Sequence, residues 1–196
     1  TVIIPAGSQS MCTWSATLNL SKAITLQGSG CTPDPLDSKA RPISCNTVIY
    51  NGVSTGAELI SWILVANKSS RLTGLEFRNS SGAGNVIGFV GQTGGAAQDG
   101  RRFRADHNRF IRLPGFNIAA YSSWGVIDHN YFDLVGIGLY FYLPSDYDYA
   151  DARWAESPTD WGSSKFSFVE DNKVEVTTTT NYHFPLTDAY AGAKFV

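Results

Sequence analysis

The stretch "FRADHNRF" (residues 103–110) is followed by "GVIDHNYF" (residues 125–132), so the tripeptide Asp-His-Asn recurs after 22 residues. A phenylalanine stands two positions after the Asn in both copies. Aligning on this closing position extends the series to "LTGLEF" (72–77) and "VEDNKV" (169–174), with steps of 33, 22 and 42 residues. A base step near 22 that is lengthened by insertions is typical of a solenoid, whose repeats stack around a continuous core.

Short apolar runs separated by Gly, Ser and Asn occupy the rest of the chain, and helical periodicity is nearly absent. A second series, "NVIGFV" (85–90), "FNIAAY" (116–121) and "IGLYFY" (137–142), indicates that each repeat contributes more than one strand. With 196 residues, 43% of them hydrophobic, the chain is most simply a single domain. We therefore expect an all-β solenoid over residues 1–196, with about 22 residues per coil and inserted loops.

Charge and hydropathy exclude two classes of partner. The net charge is −2 and no basic run is longer than "GRRFR" (100–104), which argues against a nucleic-acid surface. No apolar run reaches the ~18 residues that a membrane-spanning helix needs. Cys31 and Cys45 bracket a Pro-rich segment, where a disulfide would close a surface loop; the alternative is a cytosolic protein with three reduced cysteines.

The opening segment, "TVIIPAGSQSMCTWSATLNLSKAITLQGSG" (1–30), resembles the first coil of right-handed parallel β-helix proteins of the pectate-lyase-like superfamily. "IDHNYF" (127–132) and "VEDNKV" (169–174) resemble that superfamily's asparagine-ladder turns, and "WGVIDH" (124–129) resembles one pectate lyase motif. The resemblance implies a secreted or cell-surface protein that acts on or binds a polysaccharide, as a lyase or glycoside hydrolase. Because the superfamily also includes tailspikes and adhesins, the alternative is a noncatalytic β-helix of an adhesin, tail fibre or cell-surface repeat protein.

The repeated Asn has a structural explanation in such a fold. Equivalent residues of adjacent parallel strands lie ~4.8 Å apart, so Asn108, Asn130 and Asn172 are expected to stack in one column. Each side-chain amide can then donate to the next and satisfy backbone groups at the turn. An asparagine ladder therefore accounts for the third residue of the tripeptide.

The two residues before each Asn form two further columns, which supply the candidate catalytic residues: Asp106, Asp128 and Glu170 in one, and His107 and His129, followed by Asp171, in the other. Stacked carboxylates repel one another unless a cation, a positive side chain or a raised pKa relieves them. A shared proton would suit acid catalysis, and Ca²⁺ would suit a lyase. The alternative is a screened surface column with Arg104, Arg109, Arg112 and Lys173 as loose partners. No metal ligand set is assigned.

The 42-residue step contains an inserted loop, residues 143–164, which is rich in aromatic and acidic side chains. Inserted loops often carry binding groups. The candidate substrate-binding residues are therefore four aromatic side chains of this loop and one cation beside the acidic column: Tyr147, Tyr149, Trp154, Trp161 and Arg104. The alternative is a loop that its aromatic side chains pin against the wall of the solenoid.

Both termini have strand-like sequences. "TVIIPAG" (1–7) begins almost inside a strand, and "DAYAGAKFV" (188–196) resembles the entry into another repeat. A solenoid cut within a repeat exposes unpaired backbone and an apolar cross-section. We expect the chain to be a segment of a longer β-helix, with further coils or end-to-end self-association as partners.

Overall fold

The computed structural model describes residues 1–7, 12–80, 82, 84–91, 101–121, 123–142, 167–176 and 187–190. These residues are all-β and contain no α-helix. The strands are β1 (Val2–Ile3), β2 (Thr13–Trp14), β3 (Leu18–Leu20), β4 (Thr25–Gln27), β5 (Cys31–Pro33), β6 (Pro42–Cys45), β7 (Val48–Asn51), β8 (Glu58–Ile63), β9 (Ser69–Thr73), β10 (Glu76–Asn79), β11 (Asn85–Val90), β12 (Arg102–Asp106), β13 (Arg109–Ile111), β14 (Ile118–Tyr121), β15 (Trp124–Asp128), β16 (Tyr131–Asp133), β17 (Leu139–Tyr142), β18 (Phe168–Glu170), β19 (Lys173–Glu175) and β20 (Thr187–Tyr190).

Eighteen of these strands form three parallel sheets of six strands each. Sheet 1 has the order β1-β4-β9-β12-β15-β18, sheet 2 the order β19-β16-β13-β10-β7-β2, and sheet 3 the order β20-β17-β14-β11-β8-β3. The chain visits the three sheets in turn, and each group of three strands adds one strand to every sheet. This arrangement is consistent with a β-solenoid, because local repeats stack without pairing distant parts of the chain.

The observed register confirms the alignment made from the sequence. Phe77 lies opposite Phe110, Phe110 opposite Phe132, and Phe132 opposite Val174 in sheet 2. The three phenylalanines are fully buried, and their rings stack at centroid distances of 5.3 and 4.9 Å. Val174 keeps the register but is 36% exposed, because β19 is the edge strand of its sheet.

Alternation along each strand decides which side chains form the core, since successive residues point to opposite faces. In sheet 3, Ile60, Ile87, Ile118 and Leu139 are in register and completely or almost completely buried. The core also includes the large side chains Trp62, Phe89 and Phe103. Of the segments described, none forms a helix that is long and apolar enough to cross a membrane.

A ladder of asparagine side chains holds the turn between sheets 1 and 2. The Nδ2 atom of Asn108 donates to Oδ1 of Asn130 at 3.1 Å, and Nδ2 of Asn130 donates to Oδ1 of Asn172 at 3.0 Å. Each Oδ1 also accepts the backbone N–H of the preceding Asn, at 3.0 Å in both cases. The predicted ladder is thus present, and it satisfies buried backbone groups along the column.

The hairpin formed by β5 and β6 is antiparallel and carries the Cys31–Cys45 disulfide, while Cys12 is a free thiol. We call residues 31–45 the disulfide loop. It reaches across several repeats: Lys39 Nζ lies 2.8 Å from Asp171 Oδ1, and Arg41 Nη1 donates to the carbonyl of Asn172 at 3.2 Å. The disulfide loop is therefore bound to a turn that lies 131 residues later in the chain.

Candidate functional site

The predicted acidic column lies where the strands of sheet 1 end. Asp106 at the end of β12 is in register with Asp128 at the end of β15, and Asp128 is in register with Glu170 at the end of β18. Asp106 and Asp128 are buried, at 0% and 3% exposure, whereas Glu170 is exposed. The structure thus brings the three predicted carboxylates together, in two different environments.

Arginines from the preceding repeats neutralise the two buried carboxylates. Arg71 Nε donates to Asp106 Oδ1 at 2.8 Å, and its Nη2 donates to Oδ2 at 2.5 Å. Arg104 binds Asp128 in the same two-point manner, at 3.0 and 2.7 Å. Such fork-to-carboxylate pairs are strong and directional. The repulsion between the stacked carboxylates is therefore relieved by positive side chains, one of the three possibilities considered from the sequence.

The pKa of Asp106 reflects this pairing. Burial by itself would raise it, but the hydrogen bonds from Arg71 and His107, and the charges of Arg71 and Arg104, outweigh burial and lower the pKa to about 2. The carboxylate is consequently ionised at neutral pH. A proton stored on Asp106 for acid catalysis is therefore not available there.

The other predicted cations mostly serve different partners. Arg109 Nη1 donates to the buried carboxylate of Glu76 at 2.8 Å, on the outer face of sheet 2. Arg112 pairs with Asp133 at 3.0 Å, and Lys173 with Glu175 at 3.0 Å. Of the four loose partners expected from the sequence, Arg104 contacts the acidic column, and its two-point geometry is specific rather than loose.

Each histidine of the tripeptide is oriented by the aspartate before it. His107 Nδ1 lies 3.0 Å from Asp106 Oδ2, and His129 Nδ1 lies 2.8 Å from Asp128 Oδ2. The two imidazole rings stack with their centroids 5.1 Å apart. Because Asp occupies Nδ1, Nε2 is the nitrogen left to contact a ligand. His107 is the more accessible, with 42% of its side chain exposed against 27% for His129.

A groove of about 450 Å³ lies on the outer face of sheet 1, beside these pairs. Three guanidinium groups line it together with three aromatic side chains and small polar residues: Arg71, Arg102, Arg104, Phe103, Trp124, Phe168, Thr25 and Ser69. Phe103 and Trp124 are buried core residues, whereas Phe168 is partly exposed. Arg71 and Arg104 are paired with aspartates, whereas Arg102 has no ion pair with any described residue. The groove therefore combines an aromatic wall with a positive charge, that of Arg102, which no described residue neutralises. We call it the arginine groove.

Sequence reasoning found Arg104 but missed Arg71, Arg102, Trp124 and Phe168. The signal was present, since Arg71 and Arg104 both stand two positions before the end of their strand, at equivalent places in the repeat. The predicted residues Tyr147, Tyr149, Trp154 and Trp161 lie outside the described residues. Within the described part of the chain, no three His, Cys, Asp or Glu side chains are grouped as a metal site would need.

Comparisons with family models, with curated proteins and with solved structures gave no match for this chain. Function is therefore inferred from the chemistry of the site.

Proposed function

We propose that the protein is a right-handed parallel β-helix of the pectate-lyase-like superfamily that binds an acidic polysaccharide in the arginine groove. The resemblance of the opening segment, the three parallel sheets and the asparagine ladder support the fold assignment. The rigid sheet would present a polymer with a regular row of side chains, one row for each repeat.

The observation that carries the proposal is the composition of the groove. Phe168 is partly exposed and offers a flat face to the apolar side of a sugar ring, with the buried Trp124 next to it in the groove wall. Hydroxyls such as that of Ser69 can bond to the sugar. Arg102 supplies a positive charge with no ion pair among the described residues, and an arginine fork matches a carboxylate in two-point geometry. A uronic acid residue therefore fits the groove better than a neutral sugar.

Two activities are compatible with binding at this place. In a lyase or hydrolase, His107 or His129 would move a proton through Nε2, while the adjacent aspartate orients the ring. In the alternative, a noncatalytic β-helix of an adhesin, tail fibre or cell-surface repeat protein, the groove only binds. The low pKa of Asp106 favours this alternative over acid catalysis by the aspartates, because an ionised carboxylate cannot donate a proton.

The protein would work outside the cell, secreted or on its surface. The Cys31–Cys45 disulfide supports this location, because disulfides persist mainly in oxidising compartments. Besides the polysaccharide, further β-helix coils or a second copy could stack on the edge strand β1, where Val2 and Ile3 are exposed.

Binding to a panel of uronate-containing and neutral polysaccharides tests the proposal. We expect binding to the acidic polymers, and we expect Arg102→Gln to weaken it about tenfold, the loss of one charge-assisted contact. Arg112→Gln removes the same charge just after β13 of sheet 2, outside the groove, so this variant is the control and should bind normally. An ultraviolet absorbance from unsaturated products would identify a lyase, and reducing-sugar release without it a hydrolase. Equal binding by wild type and Arg102→Gln would refute the assignment of the groove.

A further inference from the structure

A second pocket, of about 420 Å³, lies between the disulfide loop and the turn that follows sheet 1. We call it the loop pocket. The loop contributes an apolar wall, and sheet 1 with its turn contributes polar groups: Cys31, Pro33, Ala40 and Pro42 on one side, and Gln27, Arg71, Thr73, Gly74 and His107 on the other. Arg71 lines both the loop pocket and the arginine groove, so the two are adjacent.

The loop pocket exists because one position of a column lacks a side chain. Gly74 follows Thr73, which is in register with Asp106, so Gly74 occupies the place equivalent to His107. Both have positive φ, 71° and 55°. A Cβ added to Gly74 would meet no atom closer than 3.8 Å, so the site has room for a Cβ. His107 stacks on His129, the next member of the column, and lines the space left open at Gly74.

The polar groups of the loop pocket are available to a ligand. Among the described residues, the Gln27 amide and the Thr73 hydroxyl have no side-chain hydrogen bond. Asp106 occupies Nδ1 of His107 and leaves Nε2. Donors and acceptors on one side with an apolar wall on the other are typical of a site for a hydroxylated ring.

We propose that the loop pocket is a second subsite for the same polysaccharide, which takes one sugar residue beside Arg71 and holds it between His107 and the disulfide loop. This inference rests on the proposed function of the arginine groove. It assigns different roles to two histidines with the same local sequence. His107 contacts the ligand, whereas the ring of His129 stacks on the ring of His107.

Binding as a function of ligand length tests the subsite. The probes are oligouronates of two to eight residues from polygalacturonate, polymannuronate and polyguluronate, measured by calorimetry. For the wild type we expect affinity to rise about tenfold once the oligomer is long enough to enter both pockets, as one or two added hydrogen bonds would give.

Gly74→Asn is the decisive variant, because Asn tolerates positive φ and its side chain would fill the loop pocket. It should abolish the rise with length and leave the affinity for short oligomers unchanged. Gly56→Asn is the matched control: Gly56 is exposed, has φ of 82°, and has no atom within 4 Å of an added Cβ. The control should behave as the wild type.

His107→Ala and His129→Ala form an independent pair that share the backbone strain of φ 55°. The first should lose the rise with length, and the second should keep it. If oligouronates bind and the rise survives in Gly74→Asn and His107→Ala, the loop pocket is not a subsite, although the arginine groove stands. If no oligouronate binds the wild type, both proposals are overturned.

Discussion

Arg71 binds Asp106, a residue one repeat further along the chain, through two hydrogen bonds of 2.8 and 2.5 Å. Arg104 binds Asp128 in the same way one repeat later. The acidic column is thus a series of inter-repeat ion pairs. These pairs stabilise the stack, and at the same time they place guanidinium groups along the arginine groove.

Removing Arg71 should destabilise the protein, because Asp106 is fully buried and would lose its main partner. We expect Arg71→Ala to lower the free energy of unfolding by about 1–3 kcal/mol, less than the ~3–5 kcal/mol of a fully buried pair, since 45% of the Arg71 side chain is exposed. Urea denaturation of a double-mutant cycle with Asp106→Asn measures the coupling. Additive effects of the two substitutions would contradict a stabilising pair.

Stability should fall in acid through Asp106. Its pKa is about 2 in the folded protein against 3.8 for the ordinary group, so its contribution is complete above pH 4. That contribution is lost as the pH falls from about 4 to about 2 and the carboxylate takes up a proton. We expect the unfolding free energy of Asp106→Asn to depend less on pH than that of the wild type in this range. Parallel pH profiles would exclude Asp106 as the source.

The ladder should carry more stability than a surface amide. Asn130 is fully buried, and its side chain bonds to Asn172, to the Asn108 backbone and to the Ala105 carbonyl. Asn130→Ala would leave these groups unpaired, and we expect a loss of about 1–3 kcal/mol. Asn19→Ala, at an exposed position of β3, is the control. Thermal melting measures both variants, and equal melting temperatures would remove the ladder as a source of stability.

The disulfide should stabilise the protein by restricting the unfolded chain. Cys31 and Cys45 are 14 residues apart, and a loop of this size contributes about 3 kcal/mol in the chain-entropy model. We expect the double variant Cys31→Ser/Cys45→Ser to be destabilised by about this amount, and the wild type to behave similarly under reducing conditions. Cys12→Ser is the control for loss of a thiol. Unchanged stability in reductant would show that the bridge contributes nothing.

The stacked residues were predictable because a regular repeat places equivalent side chains on top of one another. The closing phenylalanines, the three Asn, and the Asp and His columns all followed from aligning four short segments. The solvent accessibility and the partners of the individual residues in each column could not be predicted from this alignment. Identical Asp-His-Asn sequences at 106–108 and 128–130 differ in accessibility, because only His107 follows a glycine in its column.

The sequence by itself determined the all-β class, the alternation of buried and exposed side chains and the register of the repeats, since these depend on local spacing and on the period of two along a strand. Tertiary structure alone decided which charged side chains form ion pairs and which segments enclose the two pockets. Arg71 reaches Asp106 across 35 residues, and Arg41 reaches Asn172 across 131. Such contacts depend on how repeats of unequal length stack and on the path of the disulfide loop, and neither is set by the residues adjacent in sequence.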